Sequence, residues 1–213
     1  MFDIEGLMTC RVPHFPKEDT KLRADKITKR RGGNTANSLE VLSELLEHLP
    51  SECLDEGDPP APLTKLHLVA VLPEEQAQDT IDVRNSIPKV KVHGIYREGH
   101  RHAASSMIIQ SIETGSRTVI SHSSGLPEMT EPDFLGVLND ILSEIDCVDD
   151  KERLLVHFEG RNPDVTLKCI RALRAKSLGI CISVECEKPE REGMLEAAHE
   201  ADIVFFSRLW VEV

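Results

Sequence analysis

Arg30-Arg31-Gly32-Gly33-Asn34-Thr35-Ala36-Asn37 runs straight into Ser38-Leu39-Glu40-Val41-Leu42-Ser43-Glu44-Leu45-Leu46. Two glycines free the backbone, and a short polar residue then stands where a helix begins, with Asn34 the natural N-cap. Leu39, Leu42, Leu45, Leu46 and Leu49 recur at helical spacing, so one face is meant for a core, and Pro50 ends the run. Asn37, one turn in, carries its amide toward the same end of the helix. A Gly-Gly turn at a helix start with two amides beside it can bind a polar ligand bearing several hydroxyls. Taken by itself the pattern also fits a capped helix and nothing more.

The totals narrow what such a site serves. With 213 residues, 40% hydrophobic and 29% charged, the chain has the means for a packed core in one large domain or two small ones. Aromatics at 4% argue against a stacking surface for single-stranded nucleic acid. The net charge of −12 argues against a long polyanionic partner. No stretch has the length of a membrane-spanning helix, and the first residues do not read as a signal peptide. Cys10, Cys53, Cys147, Cys169, Cys181 and Cys186 form no CxxC pair. They read as free thiols of a reducing, cytoplasmic compartment.

Upstream of the glycines, residues 1–8 are too short and mixed for a good opening core strand. Pro13 to Asp19 is a turn-rich loop, and Lys21 to Lys29 a short exposed strand. Downstream, Ser51 to Pro62 is a polar loop with Pro59-Pro60. Leu66 to Leu72 is a buried strand of the parallel kind, in which His67 reads as a satisfied core histidine. Glu74 to Asn85 predicts a helix. Val90 to Tyr96, Ala104 to Glu113 and Arg117 to His122 are β-prone, the last two joined by the tight turn Thr114-Gly115-Ser116. His100-Arg101-His102 lacks metal-ligand spacing and is not read as a metal site.

From Pro132 the chain alternates strictly. Helices are predicted over Phe134–Leu142, Val165–Ala175 and Arg191–His199, and strands over Leu154–Phe158, Gly179–Glu185 and Ile203–Phe206. Functional groups of open α/β sheets gather at the carboxyl ends of strands, where Glu159, Arg161, Asn162, Glu185 and Ser207 stand. A further helix is expected to begin near Val213.

In register, these stretches resemble the PfkB (ribokinase-like) carbohydrate kinases. The matching motifs are Phe15-Pro16-Lys17-Glu18-Asp19, Arg31-Gly32-Gly33-Asn34 with Asn37, and Gly115-Ser116-Arg117-Thr118-Val119. Leu126-Pro127-Glu128, Glu159-Gly160-Arg161-Asn162 and Ser183-Val184-Glu185-Cys186-Glu187-Lys188-Pro189 complete the set. The resemblance implies a three-layer αβα, Rossmann-like domain over residues 1–213, incomplete at its C-terminus. A small β-sheet lid, from strands near 20–33 and 88–122, would also clasp a second subunit. It implies that Gly33, Asn34 and Asn37 bind sugar hydroxyls and that Arg117 approaches the phosphate being transferred. Glu159, Arg161, Asn162 and Glu185 would line a cleft. The cofactors implied are ATP and Mg²⁺, the partner a small sugar; nucleic acid, membrane and a resident metal site are not implied.

Two departures from the family stand out. Counted back from Pro16, the position of its sugar-binding aspartate is Leu7. The chain also contains no Gly-Ala-Gly-Asp, the segment that in the family supplies the general base and an anion hole. The sequence resembles the N-terminal two-thirds of a sugar kinase with an altered first strand, and is expected to be inactive by itself. The alternatives are a non-catalytic module that dimerises, or a truncated gene model of the enzyme. A dinucleotide-binding oxidoreductase is disfavoured, because no GxGxxG follows a strand.

Overall fold

The computed structural model describes residues 6–48, 65–144, 154–176 and 179–212. The Pro59-Pro60 loop, Cys53, Cys147 and residues 1–5 lie outside them. The chain forms two compact units, Phe2–Pro127 and Glu128–Val213.

The first unit runs β1 (Gly6–Val12), β2 (Lys26–Arg31), α1 (Asn34–Glu47), β3 (His67–Leu72), α2 (Gln78–Ser86), β4 (Lys91–Tyr96), β5 (Ser105–Ser111) and β6 (Arg117–His122). Four of these strands make one sheet in the order β2-β1-β5-β6, and β3 and β4 make another. The opening segment, expected to be no core strand, is a full partner here. It is an inner strand, antiparallel to β2 and parallel to β5, with Val12 buried and its other residues half-buried or exposed. The expectation that Val90–Tyr96 pairs antiparallel with the later strands does not hold. β4 lies parallel to β3, with Leu68 opposite Val92 and Val71 opposite Ile95. β-propensity identifies a strand but not its neighbour.

Leu68, Ala70 and Leu72 have no exposed surface, and Val83 of α2 and Ile95 of β4 are buried in the same unit. Burying each Leu side chain stabilises by about 1.5–3 kcal/mol. His67 is satisfied as its place in a buried run predicts: its Nδ1 lies 2.9 Å from Nε2 of His93, with the rings stacked. The leucine stripe of α1 departs from expectation. Thr35, Ala36 and Ser43 are the buried residues, whereas Val41, Leu42 and Leu45 are exposed.

Residues opposite one another across the four-stranded sheet share a face. One face carries Met8, Cys10, Ile27, Met107, Ile109 and Ile120. Of these, Ile27 is 60% exposed and Ile120 55%. The opposite face carries Leu7, Thr9 and Arg11 with their partners.

The second unit runs α3 (Glu131–Glu144), β7 (Leu155–Phe158), α4 (Pro163–Ala175), β8 (Cys181–Cys186), α5 (Met194–His199) and β9 (Ile203–Phe206). All three strands are parallel, in the order β7-β8-β9. The predicted elements recur with ends shifted by up to three residues. Phe158, Ile170, Leu173, Ile182, Val184 and Met194 fill the core, and the Phe134 ring packs on Phe158 at 5.6 Å. A single 3-10 turn, Arg208–Trp210, follows β9. Cys10, Cys169, Cys181 and Cys186 are free thiols, and burial pushes the Cys169 thiol up to about 12.

Candidate functional site

The glycine pair does at the start of α1 what only glycine does comfortably. Gly33 has φ 97° and ψ 118° and is itself the N-cap, so Asn34 is the first helical residue rather than the cap. The Asn37 N–H donates to the Gly33 carbonyl at 3.0 Å, closing the first helical turn. No side chain caps the helix. Asn34 and Asn37, both exposed, stand at this end of the helix.

Gly32 is constrained by contact. A Cβ on it would stand 2.9 Å from Cγ of Leu7. Leu7 thus abuts the Gly-Gly turn.

Arg31 holds the turn and was not singled out by the sequence. Its Nη1 donates to Oδ1 of Asn37 at 2.9 Å and its Nε to Oγ of Ser86 at 2.9 Å, while its Nη2 pairs with Glu40. Burial lowers its pKa against the opposing pull of the Glu40 carboxylate. The signal in the sequence was a basic residue immediately before Gly-Gly, with Asn37 and Glu40 one and two turns into the helix. Beside Asn37 a shallow groove of about 390 Å³ is lined by Asn37, Ser38, Val41, Leu42 and Leu45.

Arg117 is the first residue of β6, exposed and opposite Gln110. The hairpin before it closes through Gly115 at φ 68° and the Ser111 N–H donating to Ser116 O at 3.0 Å. Elsewhere in this unit, His100, Arg101 and His102 join His122 and Ser124 around an open depression. Among the described residues no three His, Cys, Asp or Glu side chains are placed to hold a metal ion.

In the second unit the carboxyl ends of β7 and β8 meet. A Cβ on Gly160 would fall 1.9 Å from the Glu185 carbonyl oxygen and 2.9 Å from Sδ of Met194. The backbone after β7, which carries Glu159, Arg161 and Asn162, thus runs close to the backbone at Glu185. Asn162 is the N-cap of α4, and its carbonyl accepts the Thr166 N–H at 2.9 Å. Glu159 is buried. Burial raises the Glu185 carboxyl above its usual range, Glu187 adds to the rise, and Arg191 opposes it. Arg191, also missed in the sequence, donates to the Gly160 carbonyl and pairs with Glu187 at 2.9 Å.

No family model matches the chain. Over 203 residues it is 27% identical to ketohexokinase of Mus musculus, covering 92% of this chain and 58% of that protein. The chain therefore spans little over half the length of the curated relative it matches. Escherichia coli phosphofructokinase-2, solved in complex with fructose-6-phosphate, superposes with a TM-score of 0.60 at 14% identity, covering 95% of this chain and 58% of that one. Arabidopsis thaliana ribokinase, solved with ribose and ATP, gives 0.60 at 13% identity, covering 96% and 57%. The chain has the ribokinase fold.

Proposed function

We infer from its homology to the PfkB (ribokinase-like) carbohydrate kinases that this chain carries the sugar-binding part of such a kinase. The full-length family form transfers a phosphoryl group from ATP to a sugar hydroxyl. The observation that carries the reading is Gly33 at φ 97° with Asn37 oriented by Arg31. The guanidinium has only donors, so it occupies the Asn37 Oδ1 and leaves Nδ2 to donate to a ligand oxygen. The exposed Asn34 amide stands beside it at the start of α1. Such an array suits a polyhydroxylated ligand, and a ketohexose such as D-fructose is the substrate we assign. The four-stranded sheet serves as the lid, and Arg117 meets the phosphate.

ATP brings the phosphoryl group and Mg²⁺ neutralises its charge when both are bound. The described residues offer Arg117 to a phosphate but no carboxylate cluster for a metal ion. No step of transfer is assigned to them. The exposed apolar face with Ile27, Met107 and Ile120 favours a second role, as a surface that pairs two copies of the chain. The free thiols fit a cytoplasmic setting.

Titration of ¹⁵N-labelled chain with D-fructose tests the sugar assignment. Resonances of Gly33, Asn34 and the Asn37 side chain are expected to shift saturably. A spectrum unchanged at these three residues overturns the assignment.

A further inference from the structure

None of the four strands β1, β2, β5 and β6 contains an aspartate or a glutamate, although the chain as a whole has a net charge of −12. They carry Arg11, Lys26, Lys29, Arg30, Arg31 and Arg117 instead. The register sorts these cations. Lys26 stands directly opposite Arg11, Arg11 opposite Gln110, and Gln110 opposite Arg117. Partners across a ladder project from one face. The hydroxyls of Ser106 and Ser121, on that same face, meet at 2.9 Å.

Neighbouring strands lie about 4.8 Å apart, so the four residues form one straight row across the sheet. All four are exposed, and the three cations make no ion pair with a described residue. Like charges directly opposite destabilise a sheet, so the placement of Lys26 against Arg11 opposes folding. Protection of sheet edges accounts for Lys26 on β2 and Arg117 on β6. It does not account for Arg11, which sits on an inner strand.

We propose that this row binds a short linear oligophosphate of tripolyphosphate length, with Arg11 and Lys26 extending the phosphate contact of Arg117 and the Gln110 amide donating between them. Only the part played by Arg117 rests on the sugar-kinase reading. A line of guanidinium, ammonium and amide donors matches a line of phosphate oxygens. A nucleic acid is the poorer match. The four strands contain no Phe, Tyr or Trp on which bases would stack, and the acidic remainder of the chain repels a long polyanion.

Calorimetric titration of the 213-residue chain with sodium tripolyphosphate and with orthophosphate, at low and at physiological ionic strength, tests the row. Tripolyphosphate is expected to bind roughly tenfold more tightly or better, and to weaken as salt rises. Arg11→Gln and Lys26→Gln are each expected to weaken it about three- to tenfold with an unchanged circular-dichroism spectrum, and Lys168→Gln on α4 to leave it unchanged. Arg11→Lys keeps most of the affinity. ATP binding as tightly as tripolyphosphate assigns the row to a nucleotide's phosphate chain; ATP binding far more weakly assigns it to a free short oligophosphate. Equal affinity for orthophosphate, no measurable tripolyphosphate binding, or indifference to Arg11→Gln and Lys26→Gln overturns the inference. Loss with Arg117→Gln alone overturns it while sparing the kinase reading. No sugar is present, so failure of fructose to bind is a separate result.

Discussion

Arg31 fixes which way the amide of Asn37 faces: Nη1 donates to Oδ1 across 2.9 Å, from a side chain only 8% exposed. Because arginine has no acceptor, the reversed amide would set donor against donor. The same guanidinium ties the Gly-Gly turn to Ser86 at the end of α2. Arg31→Ala is therefore expected to weaken fructose binding about tenfold, near 1.4 kcal/mol, and to lower the melting temperature as well. Arg31→Lys cannot reach Asn37, Ser86 and Glu40 together and is expected to recover little of the affinity. Fructose titrations of the two variants beside the parent check this.

Two glycines predict opposite outcomes for one kind of substitution. Gly160→Ala drives a methyl into the Glu185 carbonyl, backbone that cannot swing aside. Overpacking of this sort destabilises by about 1–3 kcal/mol or more. Gly136, inside α3, has open space at its Cβ position. Gly136→Ala is expected to stabilise by roughly 0.5–1 kcal/mol through helix propensity. Urea denaturation of both variants reads the two signs directly.

Asp202 sets an acid limit on the second unit. Its Oδ2 accepts the Ile182 N–H at 2.7 Å and pairs with Nη2 of Arg174 at 2.8 Å. The Ile182 hydrogen bond, then Arg174, hold its carboxyl below the ordinary value of 3.8. A depressed folded-state value stabilises above the unfolded value and is lost as pH falls through the folded one. Asp202→Asn is expected to be less stable than the parent near neutrality, with the difference shrinking below the ordinary aspartate range. Denaturation midpoints from neutral pH to strong acid would refute this if the gap stayed constant.

The apolar sheet face predicts an association state. Ile120, on the edge strand, stands in one row with Met107 and Met8. The chain is expected to sediment as a dimer, and Ile120→Lys, which places a charge in that row, as a monomer. A parent that sediments as a monomer at high concentration removes the pairing role.

The polypeptide of residues 1–213 is expected to form no sugar phosphate from ATP, Mg²⁺ and fructose. It contains no Gly-Ala-Gly-Asp, and loss of one catalytic base alone lowers a rate by about two to four powers of ten. A coupled assay that found ordinary kinase turnover, abolished by Arg117→Ala, would show that the chemistry resides in other residues.

Much of this was legible in the sequence wherever one signal decided the matter. The alternating half was readable because apolar runs, Pro163 at a helix start and the spacing of Ile170 and Leu173 all agree. The Gly-Gly-Asn turn was readable to within one residue; the φ of Gly33, which moves the cap back by one, is set by how β2 meets α1. Strand partners were not readable. Lys91–Tyr96 has the composition of any β-strand, and only the burial of Leu68 and Ile95 against each other's strands places it beside β3. Arg31 and Arg191 escaped notice because an arginine's sequence does not say whether its guanidinium turns inward.

The parallel pairing of β1 with β5 joins Gly6 to Ser105. A ribosome adding about 5–20 residues per second needs roughly 5–20 seconds to make the chain between them. Through that interval β1 and β2 form at most an isolated hairpin, which is marginal in water. Closing so long a loop is slow, because its entropy is lost before the pairing compensates. The nascent chain thus holds one edge of β1 unpaired until Ser105 and the residues of β5 after it have been synthesised. That interval is when this protein is most exposed to chaperones, oxidants and its own neighbours on the polysome.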